Sequence, residues 1–174
     1  MASGILVVAV LAAACATAGT GDGGSASGQE VWRSATFRDV VTGEEFRIDD
    51  LRGKVVAIEA MAVWCVNCRF QQVESKAALD ELASPDIVYV SLDVDPNERE
   101  ADLADYARRE GFDWRFAVAS PEVSRSLAAT FGAQILSPPA TPLVVLDPNG
   151  VVVAQHVGIT GGTTLVALFK EHLP

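Results

Sequence analysis

The four residues Cys65-Val66-Asn67-Cys68 limit what this 174-residue chain can fold into more than any other segment. They follow Lys54–Ala60, KVVAIEA, a short apolar run rich in Val and Ile that reads as a buried central strand. A helix that opens on two cysteines directly after such a strand has a physical consequence. Its geometry brings the sulfurs within disulfide reach, and the free N–H groups and dipole of its first turn favour a thiolate on the first cysteine. Cys65 is therefore expected to be the more exposed and to attack, and Cys68 to be the more buried and to resolve the mixed disulfide. Half of a zinc site is the competing reading of the pair. Zinc takes four ligands, and the chain has no second cysteine pair and only two histidines, His156 and His172.

Three further residues belong with the dithiol. Glu59 lies six residues before Cys65 inside an otherwise apolar strand. A carboxylate there is expected to be buried close to Cys68, unpaired, with a raised pKa that suits proton exchange with a thiol. A Glu that points outward or pairs with a lysine is the alternative. Trp64 flanks the reactive cysteine and is expected to shield it. Pro142, after Thr141 and immediately before another apolar run, either starts that strand or faces the dithiol. Pro138 and Pro139 read as loop stiffeners.

The rest of the pattern alternates strands and helices. Thr36-Phe37 and Glu45–Ile48 flank Thr42-Gly43 and suggest a short hairpin. The helix from Cys65 to Ala83 has apolar spacing at Phe70, Val73, Ala77 and Leu82. Ile87–Leu92 is a second buried strand, and a helix over about residues 98–110 ends at Gly111. Trp114–Val118 is a short extended segment. Ser120-Pro121 caps a helix to about Phe131. Leu143–Leu146 and Val151–Val157 enclose the tight turn Pro148-Asn149-Gly150, and Thr163–His172 closes the chain as a helix. This order implies an α/β fold with a central mixed sheet, helices on both faces and an antiparallel edge.

The first thirty residues differ in kind. Gly4–Ala18 carries no charge and suits a secretory signal better than a spanning helix. Its end, Leu11-Ala12-Ala13-Ala14-Cys15, resembles the lipobox of bacterial lipoproteins, with the leucine one residue early; that resemblance implies lipidation of Cys15 and a signal peptide over residues 1–15. A plain signal peptide or an uncleaved anchor is the other reading. Residues 16–30, with five Gly, read as a flexible linker, which leaves residues 31–174 as the domain. The formal net charge of −10 and a pI near 4.5, with no basic cluster, argue against nucleic-acid binding.

Residues 31–174 resemble thioredoxin-fold proteins of the TlpA/ResA type, the membrane-tethered thiol-disulfide oxidoreductases of bacterial envelopes. WCVNC at 64–68, Thr141-Pro142, LDPNG at 146–150 and a helical insert between Leu92 and Trp114 carry the likeness. It implies a thioredoxin-like fold and disulfide exchange with exported proteins, more in the reductive direction, as in cytochrome c maturation. Catalysis would fall to Cys65, Cys68 and Glu59, and substrate docking to Trp64, Thr141 and a cis Pro142. No cofactor is implied beyond the dithiol, and a thiol-redox partner in the membrane would reset it. The chain departs from the family at Val66-Asn67, which lacks a proline, and at Gln71, where reductive members often carry Glu. Segment 93–132 also reads like the Sco copper-delivery proteins, which share the fold. Those have three residues between their cysteines, where this chain has two, and a histidine before the penultimate strand, where this chain reads Pro138-Pro139-Ala140-Thr141-Pro142. A peroxiredoxin would need Thr or Ser where Ala62 stands.

Overall fold

The computed structural model describes Met1 and residues 30–174. The signal, Cys15 and linker expectations therefore fall outside the described residues. A short helix α1 (Val31–Ser34) leads into the hairpin β1 (Phe37–Arg38) and β2 (Glu45–Phe46). Then come β3 (Val55–Met61), α2 (Val66–Leu82), β4 (Ile87–Asp93), α3 (Glu100–Glu110), β5 (Arg115–Val118) and α4 (Pro121–Phe131). Two 3₁₀ turns, Ala133–Leu136 and Pro138–Ala140, precede β6 (Leu143–Leu146), β7 (Val152–His156) and α5 (Gly162–His172).

The main sheet runs β5-β4-β3-β6-β7. β3 is parallel to β4 and antiparallel to β6, so Glu59 stands between Ser91 and Leu143. This is the mixed, helix-flanked sheet of a thioredoxin-like fold, with the hairpin as a separate two-stranded sheet. Because β3 is central, both of its faces are covered, which explains its unbroken apolar run apart from Glu59. One face packs under α2, α3 and α5 through Ala57, Met61, Tyr89, Leu103, Tyr106, Leu165 and Phe169. The other packs under α1 and α4 through Trp32, Ile58, Val90, Leu92, Val123 and Leu127.

Phe116 is fully buried on β5 and stacks at 5.7 Å on Trp114 and 6.3 Å on Phe112. Phe116→Ala is expected to cost about 3–5 kcal/mol in a urea unfolding curve; a loss below about 1 kcal/mol would mean that this aromatic stack is not a supporting part of the core.

Two expectations are corrected by the fold. The apolar spacing of α2 does not mark its buried face: Phe70 is 52% exposed and Val73 46%, and Ala77 is exposed as well. The inward stripe is Cys68, Gln71, Gln72, Ser75 and Ala78, at helical spacing but mostly polar. The helix turns that way because the sheet beneath it carries a buried carboxyl and hydroxyls that need partners. Thr141–Pro142 is also not cis, since every peptide bond among the described residues is trans. Thr141 adopts the left-handed conformation, φ 44° and ψ 57°, and this reverses the chain after the 3₁₀ turn.

Candidate functional site

The site sits at the carboxyl end of β3, where α2 begins. Cys65 is the N-cap residue of α2, and its Sγ accepts a hydrogen bond from the Cys68 amide at 3.1 Å. The two cysteines form a disulfide with a Cα–Cα distance of 5.3 Å. Capping by sulfur uses one of the free amides of the first turn, and the same amide would stabilise a thiolate on Cys65. Cys65 is the more exposed of the two, as expected, but only at 3% against 0% for Cys68, so both sulfurs are buried. The neighbouring segments rather than the helix itself decide this.

One such segment is the Pro138–Ala140 turn. The Pro138 carbonyl lies 3.2 Å from Cys68 Sγ, and the Pro139 carbonyl accepts from Asn67 Nδ2 at 2.8 Å. The two prolines thus do more than stiffen a loop: they put carbonyls over the dithiol turn. A carbonyl facing Cys68 favours its protonated thiol, while the helix amide favours charge on Cys65. Nothing in the residue types of 138–139 announces this contact. Thr141 is buried, with its N–H donating to the Pro138 carbonyl at 2.8 Å and its Oγ1 unpaired. Its amide is therefore engaged inside the turn, not free for an extended substrate. Pro142 is buried, and its carbonyl accepts from the Ala60 amide at 3.2 Å.

Glu59 is fully buried, as expected, but it is not unpaired, and no hydrogen bond joins it to Cys68, whose Sγ faces the Pro138 carbonyl. Its Oε2 accepts from Gln72 Nε2 at 3.0 Å, Ser91 Oγ at 3.0 Å and Tyr89 Oη at 3.4 Å, while Oε1 has no partner. Burial pushes its pKa up to about 8, against the opposing pull of those three donors. Gln72, one helical turn beyond Cys68, also receives the Tyr106 hydroxyl on its Oε1. Gln71 points elsewhere: its carbonyl accepts from the Thr160 amide at 2.7 Å, and its NH2 donates to the Thr160 carbonyl and to Ser75 Oγ, both at 3.2 Å.

A second acidic group holds the residues ahead of Cys65. Glu98 Oε2 accepts from the Val63 amide at 2.7 Å, and Asp95 Oδ2 accepts from Trp64 Nε1 at 2.6 Å. Asp93, buried at the end of β4, pairs with Glu98, and burial with that hydrogen bond raises its pKa to about 8. Trp64 itself is 57% exposed, with its ring edge tied to the 93–99 loop. Sequence reading missed Asp93, Asp95, Glu98 and Gln72, although DVDPNE between a strand and a helix marked the loop. Glu98→Ala is expected to speed amide hydrogen exchange at Val63 and Trp64 by about tenfold or more, with core amides unchanged. Unchanged exchange at those two amides would show that the segment is held by other contacts.

No protein-family model matches the sequence, and no curated protein shows significant similarity to it. Solved structures share the fold. A thiol:disulfide interchange protein of the thioredoxin family from Chlorobium tepidum is 21% identical with a TM-score of 0.61, over 80% of this chain and 93% of that one. The thioredoxin domain of a thiol-disulfide oxidoreductase from Bacteroides vulgatus is 16% identical with a TM-score of 0.62, over 80% and 93%. An SCO1/SenC family lipoprotein from Bacillus anthracis is 20% identical with a TM-score of 0.63, again over 80% and 93%. The chain therefore has a thioredoxin-like fold, and what it does rests on its own site.

Proposed function

We propose that this chain is a thiol-disulfide oxidoreductase acting on exported proteins, more as reductant than as oxidant. The observation that carries the reading is the asymmetric dithiol: Cys65 Sγ sits on a helix-start amide, while Cys68 faces the Pro138 carbonyl. In the reduced protein, the Cys65 thiolate attacks a substrate disulfide; one substrate sulfur leaves as thiolate and the other stays bound to Cys65. Cys68 then gives its proton, through a bridging water, to the Glu59 carboxylate and, as thiolate, attacks Cys65 Sγ. The substrate's second sulfur leaves and takes a proton from solvent. The substrate gains two electrons and the protein forms Cys65–Cys68. A membrane dithiol donor would restore the reduced state. Trp64, exposed beside the dithiol, is the residue for substrate contact, with Pro142 and Thr141 supporting the turn whose carbonyls face Asn67 and Cys68.

An envelope location, with lipid attached at Cys15, fits the apolar start of the chain, and the B. anthracis relative in fold is named a lipoprotein. No helix among the described residues is long and apolar enough to cross a membrane.

Equilibration with a dithiol redox buffer tests the proposal. A potential near about −270 mV supports a reductant, and one near about −120 mV would make the protein a disulfide donor instead. Absence of a reversible couple would overturn thiol exchange. The second reading, copper delivery, is favoured by the fold likeness to the SCO1/SenC lipoprotein. Soft thiolates suit Cu(I), but no group of three His, Cys, Asp or Glu among the described residues is placed to hold a metal. His156, at the end of β7, pairs with Leu143 of β6 and joins no such group among the described residues. Stoichiometric Cu(I) binding lost in His156→Ala would favour copper delivery.

A further inference from the structure

We propose that Gln72 is a positioning residue for the resolving half-reaction: held by the Tyr106 hydroxyl, it aims its NH2 at Glu59 and so sets when that acid can take the Cys68 proton. The inference rests on the reading above and adds a residue to it.

The side-chain chain is explicit. An amide has one acceptor oxygen and one donor nitrogen, and its two ends are not interchangeable. A tyrosine hydroxyl that donates must find the oxygen. Tyr106 Oη on α3 contacts Gln72 Oε1, which turns Gln72 Nε2 toward Glu59 Oε2 at 3.0 Å and Met61 Sδ at 3.3 Å. Gln72, Tyr106 and Glu59 are all buried, so water cannot substitute for any of these bonds at low cost. Gln72 lies one turn beyond Cys68 on the same inward stripe of α2, so the helix that carries the resolving thiol also carries the residue that orients its proton acceptor.

Glu59 has two further donors, both on β4. Tyr89 donates to it and is in turn bonded to Ser75, and Ser75 receives Gln71. That chain of hydroxyls ends at the Gln71 amide, which is clamped by the Thr160 backbone and passes no proton onward. Ser91 donates to Glu59 while its oxygen receives Trp114 Nε1 at 3.0 Å. The groups that face Glu59 are thus Gln72 from α2, Tyr89 and Ser91 from β4 and Tyr106 from α3. Besides Glu59 itself, the charges that act on Tyr106 are Glu110, Arg69 and Arg109. None of these cations reaches the carboxyl, so neutral donors alone stabilise its charged form.

The test uses the reduced protein and an aromatic disulfide whose thiolate product absorbs light. Attack by Cys65 releases the first thiolate, and resolution by Cys68 releases the second, so one trace reads both halves. Gln72→Leu is expected to leave the first phase within about twofold and to slow the second by about tenfold near pH 7. Because a donor to the carboxylate is lost, the pH midpoint of the second phase should rise, by about one pH unit. Tyr106→Phe, which keeps the fold's apolar contacts, should shift that midpoint the same way by less. The double variant should match Gln72→Leu alone, since Tyr106 acts through Gln72. An unmoved midpoint in both single variants overturns the proposal, as do equal slowing of both phases or additive effects. If Gln72→Leu does not fold, the Tyr106→Phe midpoint decides. A wild-type protein with no second phase would overturn the proposed function itself, and this inference with it.

Discussion

Cys65→Ser is expected to abolish disulfide reduction, while Cys68→Ser is expected to attack normally and then stop as a mixed disulfide. The difference follows from the two environments. Serine at 65 keeps an N-cap oxygen for the Cys68 amide, so the helix start should survive. The hydroxyl, however, has no thiolate to offer, and turnover should fall by about 10³-fold or more. Serine at 68 keeps a donor to the Pro138 carbonyl but cannot attack Cys65 Sγ. The Cys68→Ser protein should therefore gain the mass of one substrate half, removable by a reductant. Mass spectrometry of intact protein after exposure to a disulfide peptide reads both outcomes. Adduct on Cys68 in the Cys65→Ser variant, with activity retained, would reverse the assigned roles.

The second large effect concerns Glu59. Its folded pKa of about 8 stands above the value of 4.5 expected in the unfolded chain. The unfolded state thus gives up its proton first as pH rises. Folding stability from this group is fully present below pH 4.5 and is lost progressively as pH rises to about 8. The loss is a few kcal/mol, at most about 5. Asp93, raised from 3.8 to about 8, acts with the same sign over a similar window. Glu59→Gln should therefore flatten part of the fall in stability between pH 4.5 and 8 and leave the Asp93 share. It should also slow resolution by about 10²-fold or more while sparing attack, because an amide cannot accept the Cys68 proton. Urea midpoints across that pH range, with two-phase thiolate release at pH 7, measure both. An unchanged pH dependence of stability together with an unchanged second phase would return Glu59 to a purely structural role.

Much of the molecule was legible in the residues. The two apolar runs at 54–60 and 87–92 became β3 and β4, the Ser120-Pro121 cap became the start of α4, and Pro148-Asn149-Gly150 became the turn between β6 and β7. These signals are local: a cap, a turn or a short β-branched run carries its preference in a few neighbouring residues. The inward face of α2 was not legible. Phe70 and Val73 look like core at helical spacing, yet they are exposed, and two adjacent glutamines take the interior. A polar residue is buried only when a partner waits for it, and the partners of Gln72, on β3 and α3, are 13 and 34 positions away in the chain.

The sequence by itself determined the dithiol, its place at a helix start after a buried strand, and a carboxyl six residues upstream, because helix-start geometry and strand period are fixed by local backbone rules. Only the tertiary structure decided what surrounds them. Long-range packing brings the Pro138 and Pro139 carbonyls over the dithiol, turns Thr141 into the left-handed region in place of a cis proline, and joins Glu98 and Asp95 to the segment ahead of Cys65. It likewise surrounds Glu59 with donors from α2 and β4, and burial in that setting, which no local pattern encodes, is what raises its proton affinity.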